Sequence, residues 1–312
     1  MGSEMCIRDS SAAYPFSLVD RNMIVSLNYQ YLFDFSREWS FPLPLSESDF
    51  VLDQKVEIDQ NGSLSAIGIA YAVQVTPTLS CGLTLNFWED GLYKNEWEMK
   101  TQQAGTGTYV GTPFLFEAEY NDRYTFQGFN VNLGILWNFT SRLNVGAVLK
   151  TPFTADLSHK YTAESEISFP DYPAADSSAS DQGREDQELD IPMSYGIGIA
   201  YRFSDALTVS MDVYRTEWDD YMLTRENGDE ISPINGEPAD ETHIDPTHQV
   251  RLGAEYLHIT DKYVIPIRGG LFYDPAPADG KPDRFYGFSL GSGIARGKAV
   301  FDVAYQYRFG ND

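Results

Sequence analysis

The side chains best equipped for chemistry in this chain are few and widely spaced. Arg202, Arg251 and Arg268 stand in runs where small or polar residues alternate with bulky apolar ones. A guanidinium offers forked donors that match a carboxylate, so each could receive an acid group of a ligand. They could equally pair with Asp212, Glu255 and Asp302 in neighbouring runs, and this neutralising arrangement is the favoured reading. His159, His243, His248 and His258 show no His-Glu-x-x-His spacing, and no Gly-x-Ser-x-Gly elbow occurs. The acidic stretches 164–190 and 217–245 contain nine and ten carboxylates against one arginine each, yet neither has the Asp-x-Asp/Asn-x-Asp/Asn-Gly spacing of a calcium loop. No catalytic residue, metal site or cofactor is expected, and the chain is not read as an enzyme. The net charge of −24 excludes nucleic acid as a partner, because phosphate binding needs basic surface.

These residues must be positioned by strands. Period-2 alternation runs through nearly the whole chain, as in NMIVSLNYQYLF, SLSAIGIAYAVQV, NVNLGILWNF, YGIGIAYRF and KAVFDVAYQYRF. About eleven long strands are expected, with a stub at 11–16, and helical periodicity is sustained nowhere. One set of alternating side chains is bulky and aromatic-rich. The other is small or polar and includes Lys150, Arg202, Asp212, Arg251, Glu255, Arg268, Asp302 and Arg308. No apolar run reaches the roughly 18 residues of a spanning helix. The strands, about 10 to 13 residues, are longer than those of an ordinary sandwich and suit tilted strands that cross a bilayer.

The connections alternate as well. Tight polar turns are expected at 76–78, 140–142, 204–206, 260–262 and 296–298, and long irregular segments at about 36–61, 90–123, 151–190, 217–246 and 274–284. Short turns at one end and elaborate loops at the other are the plan of an all-β, transmembrane, antiparallel up-and-down barrel. Bulky side chains then touch lipid while their neighbours face an enclosed polar interior. Residues 1–10 share no pattern with the rest of the chain and are expected to be artefactual. Residues 11–312 are expected to form one barrel domain, truncated at both ends. Of the two cysteines, Cys6 lies in that leading stretch, which leaves no disulfide framework.

The segments DPTHQVRLGAEYL, IPIRGGLFYDPAPADGKPDRFYGFSLGSGI and VFDVAYQYRFG, preceded by LDIPMSYGIGIAYRFSDALTVSMDVYRTEWDDY, resemble the FadL/TodX family in order and spacing. The resemblance is specific over about 189–310 and by pattern alone over 14–149. It implies a fourteen-stranded barrel, of which 11 to 12 strands are present here, with the family's N-terminal plug missing. It also implies passive, ligand-gated transport of long-chain fatty acids or aromatic and aliphatic hydrocarbons across the outer membrane of a Gram-negative bacterium. By the same resemblance, Leu92, Tyr93, Trp97, Met99, Phe114, Leu115, Phe116 and Tyr120 are expected to line a hydrophobic catching groove. The alternative is that they pack their loop into a small core of its own. Expected partners are a hydrophobic small molecule, outer-membrane lipid and lipopolysaccharide, whose phosphates the acidic loops could meet through divalent ions. A monomer is expected. A surface-display barrel with acidic loops, or a general porin, is the alternative function.

Overall fold

The computed structural model describes residues 10–89, 95–297 and 299–311. In chain order the strands are β1 (Ser10–Leu18), β2 (Arg21–Asp34), β3 (Arg37–Pro42), β4 (Leu45–Glu47), β5 (Phe50–Gln74), β6 (Leu79–Trp88), β7 (Glu96–Tyr109), β8 (Thr112–Asn138), β9 (Leu143–Lys150) and β10 (Phe153–Ser168). They continue as β11 (Ser177–Ile191), β12 (Ser194–Arg202), β13 (Leu207–Thr216), β14 (Leu223–Thr224), β15 (Glu230–Ile231), β16 (Thr247–Ile259), β17 (Val264–Tyr273), β18 (Arg284–Arg296) and β19 (Ala299–Asn311). Helical turns are limited to Pro173–Ala175 and Trp218–Asp220 among the described residues.

All pairings within this sheet are antiparallel, and they resolve into two tiers. The lower tier is a wall in the order β1-β2-β5-β6-β8-β9-β12-β13-β16-β17-β18-β19. Those twelve strands include the expected stub, which is the full strand β1. No hydrogen bonds join β1 to β19 among the described residues. The tight turns of the wall repeat one device. Thr76, Thr140, Ser204 and Thr260 each accept, on the side-chain oxygen, the backbone N–H of the residue three positions on. Hydroxyl residues favour turns for this reason.

The upper tier corrects the reading of long irregular loops at 36–61, 90–123 and 151–190. The described parts of these segments are largely strand, paired in the order β3 and β4, then β5-β7-β8-β10-β11-β14-β15. The strands β5 and β8, of 25 and 27 residues, run through both tiers. At about 3.3 Å per residue they reach more than twice the length that a tilted spanning strand needs. The segments 217–246 and 274–284 do remain mostly turns and short bridges. The upper tier escaped a reading by polarity because its outward positions are charged. In β5, Leu52, Val56 and Ile58 alternate with Asp53, Lys55, Glu57 and Asp59. Backbone ladder bonds form whatever the outward side chains are, and water solvates those charges.

In the wall, exposure runs opposite to that of a water-soluble sheet. Tyr195, Ile197, Ile199, Tyr201 and Phe203 are exposed, while Ser194, Gly196, Gly198 and Ala200 between them are half-buried. Leu271, Leu290 and Val303 repeat the pattern at 58–62% exposure. A band this apolar and this exposed needs hydrocarbon against it. The buried core lies on the other, inner face, where the wall passes into the upper tier. Leu64, Ala66, Trp88, Phe126, Ala155, Leu157 and Leu189 form it.

Candidate hydrophobic site at the junction of wall and extension

Three features build the junction, and the first is the break between β6 and β7. There β5 loses a neighbouring strand, and Asn95 fills the gap. Its amide donates to the Ser65 carbonyl at 2.8 Å and accepts the Ser65 N–H at 2.8 Å, so one side chain stands in for a missing peptide group. Asn95 is fully buried, where any unpaired backbone group would be costly.

The second feature is aromatic packing. The Trp88 ring meets Phe126 edge-on at 5.6 Å and stacks on Phe153 at 6.1 Å, both favourable arrangements. Its indole N–H donates to Asn130 Oδ1 at 3.0 Å, and Asn130 donates on to Asn132 at 3.2 Å. The apolar cluster is thus floored by a belt of asparagine. Beside it, Trp97 of β7, Tyr124 of β8 and His159 of β10 form a cross-strand stack, with rings 4.8 and 4.3 Å apart. Gly62 stands opposite Trp97 at φ +141°, and a Cβ there would fall 2.4 Å from Trp97 Cα, so only glycine lets the strands close. His159 Nε2 lies 2.8 Å from Asp122 Oδ1. Burial, and then the Asp122 carboxylate, push the Tyr124 phenol up to about 12.

The third feature is a groove of about 630 Å³ further down the wall. Ala72, Gly82, Gly134, Val148 and Gly196 follow one another across five strands on the inner face, and Leu136, Gly146 and Gly198 form the next rung. Where side chains are missing the wall thins to backbone, and the surface left is apolar. A volume of this size suits a small ligand.

A protein-family model described as "Outer membrane protein transport protein (OMPP1/FadL/TodX)" matches residues 59–312. The chain belongs to this family. As a FadL/TodX-family protein it is placed in the outer membrane, and its exposed apolar band is the lipid-facing surface of a barrel wall. Among solved structures it is similar to the CymD monoaromatic hydrocarbon channel, at 16% identity over 97% of this chain and 82% of that one, with a TM-score of 0.49. It is also similar to the toluene transporter TodX of Pseudomonas putida, at 14% identity over 96% and 80%, with a TM-score of 0.46. The toluene transporter TbuX of Ralstonia pickettii gives 14% over 96% and 80%, with a TM-score of 0.42. A search of curated proteins finds no match.

The residues singled out in this FadL/TodX-family sequence are not all in one place. Leu92 and Tyr93 lie outside the described residues. Trp97 belongs to the junction stack, and Met99 follows it on the same face of β7, opposite Gln60 and Asp122. Phe114 is buried between Phe50 and Phe169, at 5.5 and 5.8 Å, near the far end of the upper tier. It is ten residues from Tyr124 on β8, or about 33 Å along the strand. Phe116 is half-buried and Tyr120 partly exposed on the face of Phe114, whereas Leu115 points out the other side. Arg268 bridges Glu255 and Asp302, each at 2.6 Å. Arg251 shares a groove of about 420 Å³ with it but, among the described residues, makes only a 3.3 Å side-chain bond to Gln249. Arg202 ends β12 outside that groove. Sequence reading missed Trp88, Phe126, Phe153 and Leu189. The signal available was that Trp88 and Phe126 fall on the inner parity of β6 and β8, where the wall positions next to them, Thr84, Asn86, Gly128, Asn130 and Asn132, are small or polar.

Proposed function

We propose that the protein admits small hydrophobic molecules across the outer membrane by passive diffusion along its inner face, aromatic hydrocarbons first and long-chain fatty acids second. The reading is carried by one observation. The apolar patches of the inner face lie in downward order: the Trp97 stack, the Trp88–Phe126–Phe153 cluster and, below the polar rungs Asn86–Asn130 and Thr84–Asn132, the glycine-floored groove. A transport family suits such a path. Met99, Phe116 and Tyr120 form its outermost part in this proposal, Leu115 and Phe114 brace the extension, and ligand entry displaces the ring cluster and so gates its own passage. Arg251, without an ion pair among the described residues, is the arginine assigned to a fatty-acid carboxylate, because Arg268 is already neutralised.

Filling the groove tests this. A Cβ on Gly134 meets nothing closer than a backbone oxygen 3.9 Å away, so Gly134→Leu is expected to fold. Whole-cell uptake of toluene should fall about tenfold with heat-modifiable gel migration unchanged, which corresponds to one added barrier of about 1.4 kcal/mol. Wild-type uptake by the folded variant refutes the path. Oleate uptake lost in Arg251→Gln, with toluene uptake kept, supports the carboxylate assignment.

A further inference from the structure

On the outer face of the upper tier, three cations stand in one cross-strand row. Lys160 of β10 lies directly opposite both Arg123 of β8 and Arg184 of β11. Like charges at directly paired positions destabilise a sheet, and this row occurs in a chain of net charge −24. The acids beside it neutralise only its ends. Arg123 Nε is 3.6 Å from Glu96, and Arg184 bonds to Asp186 at 3.1 Å. Lys160, exposed and central, makes no ion pair among the described residues. Both guanidinium groups are half-exposed or more and keep donors free for a further anion.

Height indicates what that anion is. On β8 the outward-facing apolar band ends at Phe129, and Arg123 lies six residues beyond it, in a polar stretch that lasts until Leu115. That is about 20 Å along the strand, or about 15 Å above the apolar band once a barrel tilt is allowed for. The headgroup layer of a phospholipid leaflet is only about 5–8 Å thick. At this level an outer-membrane protein meets the sugars of the outer-leaflet glycolipid. We propose that Arg123, Lys160 and Arg184 dock a phosphate carried on the sugars of lipopolysaccharide. Guanidinium groups suit phosphate through paired, charge-assisted bonds. An outer-face groove of about 570 Å³ adjoins the row, lined by Thr125, Gln127, Ser158 and Arg184 together with the carboxylates Asp156, Asp186, Glu188 and Glu226, a lining that suits sugar hydroxyls while the phosphate stays on the cationic row. Ser158 Oγ is buried there with no partner among the described residues, and a sugar hydroxyl would satisfy it.

The test is binding of rough lipopolysaccharide with a phosphorylated inner core to the full chain in detergent micelles. The same glycolipid after dephosphorylation, and phosphatidylglycerol, are the other probes. Wild type should bind the phosphorylated glycolipid about tenfold more tightly than either, the value of one charge-assisted contact. Lys160→Glu should remove that preference and Lys160→Gln weaken it, while Lys55→Glu, an exposed lysine higher on the same face, should not. Gel migration checks that each variant is folded. Equal binding by wild type and Lys160→Glu, or equal binding of the dephosphorylated glycolipid or phosphatidylglycerol by wild type, overturns the proposal.

Discussion

At the scale of single residues, the junction shows how one side chain can substitute for a strand. Asn95 completes a ladder that the chain itself interrupts, and its worth lies in the Ser65 groups it keeps from being buried unpaired. Tyr124 illustrates a different constraint. Its phenol is held between two rings in a half-buried site, and its folded-state value of about 12 lies above the ordinary 10.0. A raised value means that the neutral phenol is favoured. The associated stability is complete below about pH 10 and is lost as pH rises through about 12. In an alkaline titration followed by tyrosinate absorbance, Tyr124→Phe should lack the last ionising step, and its alkaline loss of fold in micelles should be shallower between those values. An unaltered titration would show that the ring is wet.

At the scale of elements, the hairpin joining β7 to β8 turns through Val110 at φ 49° and Gly111 at φ 80°. Two consecutive positive φ values are the geometry of a type I′ turn, which suits the twist of a hairpin. Glycine holds it freely, but a β-branched residue in the left-handed region costs about 1–2 kcal/mol. Val110 is 67% exposed and gives back no packing in return. Val110→Gly should therefore stabilise the extension by about 1 kcal/mol, the strain relieved less glycine's greater loss of freedom. Local hydrogen exchange at the β7–β8 amides reads this most directly. Faster exchange in the variant would mean that the valine is not strained.

At the scale of the whole molecule, the wall is divided by what each face touches. Trp137 lies on the outer face at 44% exposure, edge-on to Phe139 at 4.8 Å, whereas Trp88 is buried on the inner face. In bilayers with brominated acyl chains, Trp137 fluorescence should be quenched and that of Trp88 spared. Replacing Trp137 with Phe should then remove most of the quenchable signal. Quenching that persisted in that variant would mean that the outward-facing band does not sit in lipid.

The sequence by itself determined the strands of the wall, the parity of their faces, the tight turns capped by Thr76, Thr140, Ser204 and Thr260, and the family. Each is written locally, in alternation every second residue or in a hydroxyl placed three before a backbone donor. The upper tier was half-legible, because Leu52, Val56 and Ile58 alternate as clearly as any wall strand but among charges that read as loop. Only the tertiary structure decided which distant positions meet. The stack of Trp97, Tyr124 and His159, the ring cluster around Trp88 and the row of Arg123, Lys160 and Arg184 depend on strand register. Antiparallel pairing joins residues far apart in the chain, and a slip of one position in any strand would turn every one of its side chains to the other face.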